Sequence, residues 1–229
     1  MNGELEESTQ VAEPATEEKK RFKIMGVEVV YLYFFGMIIA FVGWFAENMT
    51  RLVNHGYIDS RFHILPFISP YSLIIFDFHI ALHDPDELVL FGKRIFKEVN
   101  KKTKILSNVI SYFAICSFVF LGELAVGNLW DILFDVKLWD YSSWPLNVTQ
   151  FTSVVSTFGF GTGAYLIFKF IYKPALNFFR TKFNFKVAKI ITLTLGMLII
   201  VDTCVMMVRI GMSPDGRLPQ YWKLVFFEK

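Results

Sequence analysis

The sequence predicts an all-α fold, a polytopic transmembrane bundle of about five spans with a proline-interrupted second segment. Three observations carry this. Of 229 residues, 54% are hydrophobic and only 19% charged, well off the balance of an ordinary soluble domain. The charge is also uneven, since the first 23 residues hold six Glu and four Lys or Arg. Finally, the apolar residues fall into runs of about 20, the length a helix needs to cross ~30 Å of hydrocarbon. This composition excludes a disordered chain and a disulfide-stapled module. A net charge of +2 gives no field to attract nucleic acid.

Residues 1–18 are Glu-rich and lack aromatics, so they cannot bury enough apolar surface to offset their ordering entropy. A disordered acidic tail with a basic anchor (1–23) is therefore expected, then a membrane domain (24–212) and a short C-terminal tail (213–229). The anchor is Lys19, Lys20, Arg21 and Lys23. An acidic start does not resemble a secretory signal, which predicts that the first apolar segment is retained.

Four stretches satisfy the span criterion comfortably: 27–45, 105–125, 151–171 and 187–210. The segment 62–83 is less regular, because Pro66 and Pro70 break its first half. We take it as a kinked span. The alternative is extended chain leading into a half-helix from Pro70, capped by Ser69. Such backbone needs cover from protein or water, and discontinuous helices mark binding sites in transporters.

Lys and Arg alternate along these segments. They are dense in the tail, in 93–104 and in 173–189, whereas the other loops carry only Arg51, Arg61 and Lys137. The positive-inside rule then puts the N-terminus in the cytoplasm and the C-terminus outside a cell membrane. The Lys and Arg of the C-terminal tail are a partial exception. Trp130, Trp139, Trp144 and Trp222 suit an interfacial aromatic belt.

Ionisable groups at membrane depth are the informative residues, because each is costly to leave in lipid. Glu47 and Glu123 share an outer depth, and Asp202 lies near the middle of the last span, facing the bundle interior. The segment 62–83 ends in His79 and His83, four apart on one helical face, with a solvated cap preferred over a metal site. Gly159 and Gly163 form a small-xxx-small pair for helix packing. Cys116 and Cys204 read as buried thiols. No P-loop, nucleophile elbow, cofactor fingerprint or metal-ligand pattern occurs, and no catalytic residue is assigned.

The strings GWFAEN (43–48), VNHGYID (53–59), GELAVGNLWDILF (122–134) and LWDYSSWPLNVTQF (138–151) are the most specific in the chain. Together they resemble the bacterial putative type IV ABC-transporter permease family. The matching positions begin with Gly43, Trp44 and Glu47, then Asn54 and Gly56, Pro66 and Pro70, Glu123 and Gly127. They end with Trp139, Asp140, Tyr141, Ser142, Pro145 and Asn147. His55 stands where the family has Arg, and LPFISPYS departs from the family's proline-bearing run.

The resemblance implies a permease-like membrane component that moves a small polar or amphipathic solute. Its expected partners are the lipid bilayer, a separate ATPase subunit and a second copy of the chain. The expected solute-binding set is Trp44, Glu47, Asn54, Glu123, Trp139, Asp140, Tyr141, Ser142, Asn147 and Asp202, under an outer polar lid. Two other readings compete: an intramembrane enzyme acting on a lipid or isoprenoid, and a non-catalytic scaffold whose polar groups knit helices together.

Overall fold

A computed structural model describes residues 21–213 and 218–227. The expected acidic tail falls almost wholly outside them. Helix α1 (Val29–His55) is followed by α2 (Ser69–Leu82), α3 (Lys101–Phe134), α4 (Val154–Leu166), α5 (Tyr172–Lys182) and α6 (Phe185–Gly211). A π-helical turn, Ile167–Ile171, joins α4 to α5. Pro174 accounts for that turn, since its ring crowds the carbonyl of Phe170 and cannot donate to it. Four helices are long and apolar enough to cross a membrane: α1, α3, α4 with α5, and α6. They coincide with the four regular spans expected from sequence, save that 27–28 and 151–153 precede their helices.

The fifth crossing is made differently. Helix α2 has only 14 residues, ~21 Å at 1.5 Å per residue, and non-helical chain precedes it. The favoured kinked span thus gives way to the half-helix alternative, though the chain leading into it is turned and bent rather than extended. Pro70 occupies the first turn, where a missing donor costs nothing. Ser69 does not cap the helix; Ile68 holds that position, and Ser69 Oγ lies 2.6 Å from Thr203 Oγ1. The backbone above α2 finds partners in the bundle, with Ile68 N–H donating to the Ala40 carbonyl.

Short antiparallel ribbons close both ends. At one end lie β1 (Lys23–Ile24) with β2 (Val27–Glu28), and β4 (Val89–Leu90) with β5 (Lys93–Arg94). This end carries the dense Lys and Arg and is called the basic end. At the other, β3 (Tyr57–Asp59) pairs with β8 (Lys223–Val225), and β6 (Asn147–Thr149) with β7 (Thr152–Ser153). We call it the ribbon end. The described chain therefore begins at one end of the bundle and finishes at the other.

The basic half is filled by rings. Phe168 stacks on Tyr172 at 5.0 Å between centroids, and Phe35 and Phe78 pack against them. His79 is 1% exposed; its Nε2 lies 2.8 Å from the Ile24 carbonyl oxygen and its Nδ1 2.7 Å from the Tyr172 hydroxyl. It is a buried strut rather than the solvated cap expected, because β1 folds back over it.

Helices meet at small residues. A Cβ on Gly36 would sit 2.7 Å from the Ser72 carbonyl oxygen, one on Gly196 2.9 Å from Tyr33, and one on Gly161 2.6 Å from Cys116 Sγ. The packing expected of Gly159 and Gly163 belongs to Gly161 instead; a Cβ on either of the other two would meet no other element within 4 Å. Cys116 is buried as expected, but Cys204 is exposed on the outer face of α6. Trp130 is buried against Met206 and Ile210 and so is not a belt residue, whereas Trp222 is half-buried and packs on Trp44.

Candidate functional site

The polar groups of the ribbon half are assembled by a close approach of α1 and α2. Gly43 leaves room for the Tyr71 ring, which a Cβ would meet at 2.5 Å. One turn further along α1, Glu47 Oε1 accepts from the Tyr71 hydroxyl at 3.0 Å. Its other oxygen, Oε2, accepts from Arg61 Nε at 2.6 Å and also pairs with Arg61 Nη2. Glycine, tyrosine and carboxylate thus act as one unit, with Arg61 supplied by the chain that descends toward α2. Arg61 Nη1 and the Trp44 indole nitrogen are buried and take no partner among the described residues.

A second carboxylate faces this unit. Glu123 on α3 accepts from Thr152 Oγ1 at 2.7 Å and lies 3.0 Å from Ser156 Oγ. The capping box of Ser153 and Ser156 at the start of α4 fixes the Ser156 hydroxyl. Tyr141 reaches in from the loop after α3, its hydroxyl 3.5 Å from Glu123 Oε1. Burial, then the charges of Glu123 and Glu47, push the Tyr141 phenol well above its ordinary range, so it stays a neutral donor. The charge of Glu47 reaches Tyr141 as well, so the two clusters are neighbours. Two carboxylates and two phenols therefore form an array of two adjacent polar clusters, one around Glu47 and one around Glu123.

Asp202 stands apart. It is 5% exposed and accepts backbone N–H groups from Ile64 at 2.9 Å and Leu65 at 3.1 Å, with His63 Nδ1 3.4 Å away. It faces the bundle interior as expected, and its partner is the unwound chain of the fifth crossing.

The remaining expected residues are scattered. Trp44 lies beside Glu47 on the same helical face. Trp139 donates from Nε1 to the Phe151 carbonyl at 2.8 Å and so pins the loop. Asp140 is exposed; the Ser142 side chain, then its backbone N–H at 2.8 Å and Lys137, hold the carboxyl below the usual range, which is turn chemistry. Ser142, Asn147 and Asn54 are exposed.

Sequence reasoning missed Arg61, Tyr71, Thr152 and Ser156. Deeper toward the ribbon, a cavity of about 210 Å³ is lined by Arg51, Tyr57, Asp59, Ser60, Phe62, Leu218, Gln220 and Lys223. Asn48, 1% exposed, organises its wall: its side-chain oxygen accepts from Asp59 N–H at 2.8 Å.

These features define a multi-pass helical membrane protein with ionisable groups gathered in one half of its bundle. Residues 32–207 match the family described as "Putative ABC-transporter type IV", and the chain belongs to that family. The matched stretch contains Glu47, Arg61, Tyr71, Glu123, Tyr141 and Asp202. It is thus a transport-related membrane protein, as the motif resemblance implies. No curated protein and no solved structure matches the chain.

Proposed function

We propose that the chain is the permease-like component of a transporter, and that the Glu47–Arg61–Tyr71–Tyr141–Glu123 array receives a small polar or amphipathic solute. The basic end is assigned to the cytoplasm and the ribbon end to the outside. The supporting observation is the fifth crossing, in which non-helical chain clamped by Asp202 runs beside Glu47. Transporters place their sites at interrupted helices of this kind, because freed backbone and polar side chains converge there.

The arrangement suits exchange. Arg61 Nη1 and the Trp44 indole N–H are spare donors for a solute's acceptor oxygen, while Glu47 and Glu123 accept from its donors. Entry of a solute would compete with the Tyr71–Glu47 and Tyr141–Glu123 bonds. Because Tyr71 sits on the first turn of α2, that competition bears directly on the half-helix. A separate ATPase at the basic end is the energy source this reading requires.

The test is uptake by proteoliposomes, with and without an ATPase co-purified from the native membrane. The probe is a defined mixture of amino acids, polyamines and short-chain fatty acids, followed by mass spectrometry. Glu47→Gln and Glu123→Gln should each cut accumulation of the transported species at least tenfold while leaving the protein monodisperse. Intact uptake by both variants would sink the assignment.

A further inference from the structure

We propose that the seam between α3 and α4 at the basic end binds the phosphate group of an anionic phospholipid, with Lys169 as its cation. Lys169 lies in the π-helical turn, one helical turn deeper than Lys173. Wide turns of this kind occur preferentially at functional sites. No carboxylate among the described residues pairs with Lys169. Its polar partner is the Tyr165 hydroxyl at 3.2 Å, and its ammonium stands over the Tyr165 and Phe170 rings at 5.5 and 5.3 Å.

The proton arithmetic of the seam shows why the cation remains free. Tyr165 spends its only proton on Asn108 Oδ1 at 2.7 Å. Asn108 in turn donates to Asp86 at 2.9 Å and to the Lys104 carbonyl at 2.7 Å. Asp86 is already paired with Lys104 at 2.9 Å, and Lys173 with Asp84. Asp84 and Asp86 thus take their direct contacts from Lys173, Lys104 and Asn108; the Asp86 charge is felt by Lys169 at longer range, without an ion pair, and the three-donor ammonium of Lys169 has donors to spare.

The surroundings favour a lipid over a free ion. Leu166 and Phe170 on one side, and Val109 and Phe113 on the other, are exposed apolar residues that acyl chains would cover. Lys104 marks the helix end one turn above Asn108, so the seam lies where headgroup gives way to hydrocarbon. An unpaired cation at that depth, between two membrane helices, is the arrangement that captures an anionic headgroup.

The full chain, purified in a mild detergent, is melted with dioleoyl phosphatidylglycerol, with dioleoyl phosphatidylcholine or with inorganic phosphate. The glycerol lipid should raise the midpoint by roughly 3 °C or more beyond the choline lipid, as a ligand of the folded state does. Lys169→Met should abolish that difference, whereas Lys169→Arg and Lys102→Met should keep it. Equal shifts from the two lipids in the wild-type protein would overturn the proposal, whether or not any variant can be purified. So would an unchanged preference in Lys169→Met. A shift of the same size from inorganic phosphate would overturn the lipid assignment. None of these outcomes depends on what the array at the other end transports.

Discussion

The two halves of the bundle solve the same problem in different ways. In the basic half the fifth crossing is a helix, its backbone satisfied internally and its Phe78 set in a core with Phe35, Phe168 and Tyr172. In the ribbon half the same crossing is unwound, and side chains from other elements must satisfy it. The first half is held by shape and the second by charge and hydrogen bonds. A half stabilised by a few directional bonds can change arrangement by exchanging them. A packed aromatic core cannot, because its stability is spread over many small contacts.

Substitutions can break this contrast. The largest effect is expected at Asp202→Ala, which strands the Ile64 and Leu65 N–H groups at membrane depth and should cost about 3 kcal/mol. Melting in detergent measures it. Asp202→Asn keeps an acceptor and should lose less than half as much. Phe168→Ala should cost about 2 kcal/mol through the packing it loses, less than in a soluble core because helix association in lipid lacks the hydrophobic transfer contribution, with uptake per folded molecule unchanged. A ribbon-half change that destabilised less than Phe168→Ala and spared uptake would erase the distinction.

Gly43→Ala sharpens the comparison further. Its Cβ meets the Tyr71 ring and should cost about 1–2 kcal/mol, displacing the hydroxyl from Glu47 and lowering uptake with it. Gly159→Ala, whose Cβ would meet no other element within 4 Å, should instead be neutral or stabilise by up to about 1 kcal/mol.

The smallest effect concerns pH at the basic end. Glu28 is partly desolvated, which opposes ionisation, but its backbone hydrogen bond and the Arg180 guanidinium win and hold its carboxyl below the ordinary value. A depressed folded value means that this pairing stabilises above the unfolded carboxyl's titration and is lost as pH falls through the folded one. Glu28→Gln should flatten that acid limb of the stability profile, measured by melting between pH 3 and about 7.

The spans were legible because hydropathy over 20 residues reports directly on the solvent a helix needs. Glu47, Glu123 and Asp202 were legible because a carboxylate at membrane depth demands a reason. Their partners were not. Tyr71 counts as apolar filler in a sequence, and Arg61 registers only as loop charge. What joins them to Glu47 is an interhelical approach at Gly43 that no spacing encodes. Asp202 is answered by backbone N–H groups, which every residue but proline carries. Gly159, Gly161 and Gly163 differ only in helical rotation, and the position of Cys116 on α3 selects the middle one. His79 shows the same limit, since only the return of β1 turns an apparent surface histidine into a buried one.

Gly56 ends α1 in a left-handed conformation (φ 76°), and its carbonyl accepts the backbone N–H groups of Phe226 and Phe227. The strand that follows finds its mate beyond all the later helices, Tyr57 opposite Val225. Such a pairing has a very large loop to close, so it forms after the intervening segments have been inserted. The ribbon is accordingly a latch that can close only once α6 has reached its place.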